Sequence, residues 1–214
     1  MAKRRKVGNL LALGLLALLA PGRAMHPYEM ATLLRRTGKE QDLRIKWGSL
    51  YTVVQNLEKH GLIAATGTSR SGRRPERTRY TLTSAGRAEL ADWLRELVAE
   101  PQPAESRFEA ALSVVAVLPP AEVRELLQRR LRALDEQIAA QRRALAAEQV
   151  ARLFLIEAEY ALALRVAEAA WVSSLLAELA DGTLPGLAEW RQWHEAGAAL
   201  PGWGELPAET GMSD

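Results

Sequence analysis

Residues 46–82 read KWGSLYTVVQNLEKHGLIAATGTSRSGRRPERTRYTL, one short helix followed by a two-stranded ribbon whose turn is dense in arginine. From Leu50 the apolar positions recur at Val53, Val54 and Leu57, the spacing of one buried helical face. Ser49, Thr52, Gln55, Asn56 and Lys59 fall on the other face. Gly61 stands where the helix must end through a left-handed residue. Leu62 and Ile63 then open an extended run, and Tyr80 and Leu82 alternate with Arg79 and Thr81 on the return. The turn holds Arg70, Arg73, Arg74 and Arg77, with Glu76 as its single acid. A polar helix face beside a cationic loop suits duplex DNA, one element for base edges in the major groove and the other for phosphate. Ser49, Tyr51, Thr52, Gln55 and Asn56 are the expected contacts to bases and nearby phosphate, with Lys59 on the same face. Lys46, Arg70, Arg73, Arg74, Arg77 and Arg79 are the expected backbone contacts. Charged hairpin tips also serve as solubilising surface, but the one-signed make-up of this tip favours phosphate.

Upstream, Pro27 sits early in a second helix, PYEMATLLRR, closed by Gly38, and His26 reads as a helix-start residue. Before it, KRRK followed by VGNLLALGLLALLA imitates a secretory signal. The apolar run is too short to span a bilayer and no cysteine framework follows, so the expectation is a buried first helix from about Gly8 to Leu19 in a cytoplasmic chain. The basic arm, residues 1–7, is left to touch DNA backbone or minor groove, or to stand as a solvated tail. Helix, helix, helix and ribbon make a winged helix-turn-helix over residues 8–99, with a fourth helix, TSAGRAELADWLRELVA, capped by Thr83.

Charge separates this half from the rest. Residues 1–87 carry 17 Lys or Arg against 5 Asp or Glu, a net +12, while the remainder carries 11 against 21, a net −10. A basic first half suits a polyanion and an acidic second half avoids one. EPQPAES, residues 100–106, is the linker. Beyond it, FEAALSVVAVL predicts a short helix cut off by Pro119 and Pro120. A long helix follows, with Leu127, Leu131, Leu134, Ile138 and Leu145 in steps of four and three if Gln141 fills the missing position. A further helix runs from roughly Val150 to Ala180. These leucines and Ile138 would seam either an antiparallel hairpin or a dimer. Two winged helices related by a dyad give useful specificity, so residues 107–182 are expected to be a helical homodimerisation domain. Residues 183–214 are Gly- and Pro-rich but contain Trp190, Trp193 and Trp203, which suggests a partly ordered tail.

No phosphate loop, HExxH or nucleophile elbow occurs, and three scattered histidines without cysteine leave no ordinary metal cluster. The expectation is therefore no enzyme, no cofactor, no metal and no membrane span. Six tryptophans invite a small aromatic or hydrophobic effector, and Trp93 and Trp171 are the candidates for binding it.

Four segments together, LLALGLLALLAPGRAMHPYEMATLL, WGSLYTVVQNLEKHGLI, SGRRPERTRYTLT and TSAGRAEL, resemble the PadR family of bacterial transcriptional regulators over about residues 8–99. Pro27 stands where that family usually has glycine, and Ser49 where it has threonine. The resemblance implies a homodimer on a pseudo-palindromic operator, usually a repressor released by a small molecule. It also implies a long helical second half like that of the larger subfamily. The competing expectation is a winged-helix interaction module whose basic face takes an acidic protein or RNA.

Overall fold

In the computed structural model, residues 5, 7–39, 43, 45, 47–69, 77–101 and 106–196 are described, without the side chains of residues 68, 69 and 77. The chain divides into two compact units, Met1–Ala104 and Glu105–Asp214.

The first unit is built on α1 (Leu10–Leu19), which is apolar all round because it sits at the centre: Leu11, Leu15, Leu16 and Leu19 are fully buried. Asn9 caps it, its side chain accepting from the Leu11 amide. Around it pack α2 (Pro27–Arg36), α3 (Leu50–Lys59), the antiparallel strands β1 (Ile63–Ser69) and β2 (Arg77–Leu82), and α4 (Ser84–Ala99). A 3-10 turn, Trp47–Ser49, leads into α3. Ile63 pairs with Leu82 and Ala65 with Tyr80; a bulge between Ala65 and Gly67 then shifts the register. Met25 adds a short antiparallel bridge on Tyr80, two 3.0 Å backbone hydrogen bonds that tie the start of α2 to the wing. This winged helix-turn-helix is the architecture expected from the sequence.

Thr83 caps α4 through a 2.9 Å bond from the Gly86 amide, and its hydroxyl also donates to the Gly61 carbonyl at 2.7 Å. Gly86 is required here, since a Cβ would overlap the Leu62 carbonyl oxygen. At Gly61, φ is +68°, the left-handed exit from α3 that the sequence indicated.

The second unit is helical. FEAALSVVAVL does not form one helix; it divides into α5 (Arg107–Leu112) and a 3-10 turn, Val115–Val117. The break falls in a run of β-branched residues, where helix propensity is weak. Two long helices, α6 (Pro120–Ala147) and α7 (Ile156–Asp181), pair as a hairpin, and a shorter α8 (Leu187–Ala196) closes on them. Trp190 Nε1 lies 3.0 Å from the carbonyls of both Ala116 and Leu118, and this anchors α8. The tail thus contains an anchored helix; Trp203 lies outside the described residues.

The leucine seam is used within the chain. Leu127 packs with Val172 and Leu179, and Leu134 and Ile138 pack with Ala169, with Leu131 half-buried between the two clusters. Gln141 completes the pattern, donating to the Ala158 carbonyl at 2.7 Å and accepting from Arg165 at 2.6 Å. Leu145 is half-buried near the end of α6. The expectation that these positions face a second copy is corrected for Leu127, Leu134 and Ile138, which their own hairpin buries.

Candidate nucleic-acid interface

The α3 helix carries Leu50, Val53, Val54 and Leu57 in the core, and this leaves Tyr51, Thr52, Gln55, Asn56 and Lys59 exposed along the opposite face. All five lie in spacings of one, three and four, so a groove floor can meet them together. Tyr51 is 60 % exposed, which answers for this fold whether its ring is buried. Ser49 is half-buried at the turn before the helix. Trp47 packs against the core, with the Arg35 guanidinium 4.2 Å above its ring, and this steadies the start of α3 from α2.

The wing joins this face through β2. Arg79 is exposed but tethered: its guanidinium reaches the Glu29 carboxylate at 3.7 Å and the Ala24 carbonyl at 3.5 Å. Lys46, Arg70, Arg73 and Arg74 lie outside the described residues, as does the side chain of Arg77.

Sequence reasoning missed Glu29. Its carboxylate accepts from the His26 amide at 3.1 Å, completing a capping box in which the Tyr28 amide donates to His26 Nδ1, and it also pairs with Arg23 at 3.2 Å. Glu29 therefore ties α2, the loop before it and β2 into one block. The signal was present as a glutamate three residues after the cap, masked because histidine is an unusual cap. A second such contact runs from the Tyr80 hydroxyl to Glu58 at 3.4 Å, joining β2 to α3. Burial first, and then the Glu58 charge and hydrogen bond, push the Tyr80 phenol above its usual range.

The arm is a correction at Arg5. Its side chain is only 4 % exposed, bonded to Glu89 at 2.5 Å and to Glu96, with Asp92 at 3.5 Å and the Trp93 ring 5.4 Å below. Three carboxylates on one face of α4 outbid solvent for this guanidinium, so Arg5 is neither free for DNA nor a solvated tail. The same contact covers Trp93, which is 5 % exposed and has no open ring face for an effector on the Arg5 side. Trp171 belongs to the second unit, half-exposed and edge-on to Phe108 at 6.0 Å. The two candidate tryptophans therefore belong to different units.

Among the described residues no group of three or more His, Asp or Glu is placed to hold a metal ion. Ile156–Asp181 is long and apolar enough to cross a membrane by length and composition alone, with a mean hydropathy of 1.3.

Comparison with known proteins agrees with this geometry. Residues 15–92 match the transcriptional regulator PadR-like family, and the resemblance drawn from the four sequence segments is borne out. No curated protein matches the chain by sequence. Among solved structures, Bacillus subtilis PadR in complex with operator DNA is 21 % identical, covering 79 % of this chain and 99 % of that one, with a TM-score of 0.63. Bacillus subtilis PadR in complex with p-coumaric acid is 19 % identical, covering 79 % and 98 %, with a TM-score of 0.62. The Vibrio cholerae virulence activator AphA is 19 % identical, covering 80 % and 98 %, with a TM-score of 0.56. At such identities these likenesses concern the fold.

Proposed function

We propose that this chain, whose residues 15–92 match the PadR-like family of transcriptional regulators, is a cytoplasmic, sequence-specific DNA-binding regulator. On this reading it acts as a homodimer on a pseudo-palindromic operator and blocks transcription until a small molecule releases it. The observation that carries the reading is the exposed polar face of α3, Tyr51, Thr52, Gln55, Asn56 and Lys59, backed by four core residues and flanked by the wing. A side-chain set rich in amide and hydroxyl groups is what hydrogen-bonded base readout uses. A solved relative of the same fold carries operator DNA, and another a phenolic acid, which supports both halves of the proposal.

The dimer contact that we infer lies on α7 rather than on the seam of α6. Ile156, Tyr160, Leu164 and Trp171 form a stripe along α7 and are each about half exposed or more; Leu153 and Phe154, in the 3-10 turn before it, are exposed as well. An apolar stripe of this length on a helix already paired on its other side favours a second copy of the chain.

The test is a gel shift of the full chain against its own upstream DNA at physiological salt. The expected outcome is preference over random duplex that Gln55→Ala and Asn56→Ala reduce. Arg73→Ala with Arg74→Ala should weaken binding to all sequences alike and lower the slope of log affinity on log salt by up to about two. Equal affinity for random duplex and for the upstream region would overturn the operator reading and favour an acidic protein or RNA as partner.

A further inference from the structure

The α6 helix borders two cavities that share a wall. One, of about 460 Å³, is apolar: Phe108, Leu112, Val115, Val117 and Leu118 line it from α5 and the 3-10 turn, and Val123 from α6. The other, of about 530 Å³, is lined by Arg129, Arg130, Gln137, Arg165 and Glu168. Leu126 and Arg130 line both, so the two are the ends of one cleft contained in the second unit.

Charge is unequal at the polar end. Three guanidinium groups face one carboxylate, and that carboxylate is taken: Arg130 Nε donates to Glu168 at 2.6 Å. Arg130 is also fixed from the apolar side, its guanidinium carbon 3.6 Å over the Phe108 ring. Arg165 is held by a neutral acceptor, Gln141, which orients it without cancelling its charge. Arg129 is exposed and has no ion-pair partner among the described residues. The apolar end has the size of ordinary small-ligand sites, roughly 300–1,000 Å³. Apolar walls continuing into uncompensated, oriented cations do not suit a neutral lipophile, which would leave the charge unmet. They do not suit an inorganic anion either, which would leave the apolar end wet.

We propose that this cleft binds an amphipathic organic anion, its aliphatic or aromatic body against Phe108, Val117 and Leu118 and its carboxylate or other anionic headgroup beside Arg129 and Arg165. This deepens the reading of the chain as a ligand-released regulator by placing the ligand and its class. Release from DNA rests on that reading, whereas binding does not.

The experiment is calorimetric titration of the full chain, without DNA, with decanoate, decanol and acetate. Decanoate should bind saturably, one molecule per chain, decanol at least about tenfold more weakly, and acetate not at all. Arg129→Glu should weaken decanoate about tenfold and leave decanol unchanged, and Val117→Asp should weaken both. Both positions are exposed, and an unchanged melting temperature would show that each variant folds. Absence of saturable binding, equal affinity for decanoate and decanol, or indifference to Arg129→Glu would overturn the proposal. So would a halved molecular mass for Val117→Asp, since the cleft would then be covered by a second copy. If decanoate binds as expected but leaves operator affinity unchanged, the site stands and the ligand-released reading fails.

Discussion

Arg5 shows how the fold can reverse the meaning of a single residue. In sequence it belongs to a cationic arm suited to phosphate, and in the fold it is enclosed by Glu89, Asp92, Glu96 and the Trp93 ring. Burial opposes the charge on its guanidinium, but the hydrogen bonds and charges of Glu89 and Glu96 outweigh it and raise the Arg5 pKa. Removing it takes the bonded cation from Glu89 and Glu96 and uncovers the indole of Trp93. Arg5→Ala is expected to cost about 2 kcal/mol in urea unfolding, with operator affinity of the folded protein little changed. A loss of affinity without loss of stability would instead return Arg5 to the DNA-contacting set. Gly86 makes the complementary point about space. Its missing Cβ lets the first turn of α4 lie against the Leu62 carbonyl, so Gly86→Ala should destabilise the first unit by about 1–3 kcal/mol, read as a lower urea midpoint at unchanged slope.

At the scale of elements, the wing is held at two points that the alternation of Tyr80 and Leu82 with Arg79 and Thr81 does not reveal. Met25 pairs with the Tyr80 backbone, and the Tyr80 hydroxyl reaches Glu58 on α3. The second contact has a pH signature. Because the folded-state pKa of Tyr80 is raised, by burial first and by Glu58 second, its contribution is present below the unfolded value of about 10 and is lost as pH rises above it. Denaturation between about pH 9 and 11 should therefore show a fall in stability that Tyr80→Phe diminishes. The α6–α7 hairpin is a second case of contacts deciding between readings. Steps of four and three describe any helix packed along one seam, and the same leucines satisfy an internal or an intermolecular partner equally well. Here Val172, Leu179 and Ala169 of α7 occupy that seam.

For the whole molecule, the internal use of that seam moves the expected dimer contact to the outer face of α7. The two faces are separable by experiment. Leu134→Ala, which empties a buried position, should cost about 2–4 kcal/mol in stability without changing the mass measured by sedimentation. Leu164→Glu, at a site 54 % exposed, should leave each protomer folded, halve the mass and weaken operator binding, because half-sites then bind independently. A Leu164→Glu protein that stays dimeric would move the interface elsewhere.

Much of the first unit was legible in the chain itself. The α3 face, the glycine exit at Gly61, the Thr83 cap and the buried α1 are local consequences of periodicity and backbone preference, and those signals lie within a few residues of one another. The charge contrast between the two halves needs only counting. What tertiary structure alone decided is the choice of partner: Arg5 with α4, Glu29 with the wing, the leucine seam with its own hairpin, and Trp93 and Trp171 in separate units. Periodicity states that a face will be covered and charge states that it seeks a counter-charge. Which surface answers depends on contacts between residues up to 91 apart in the chain, and no local pattern encodes them.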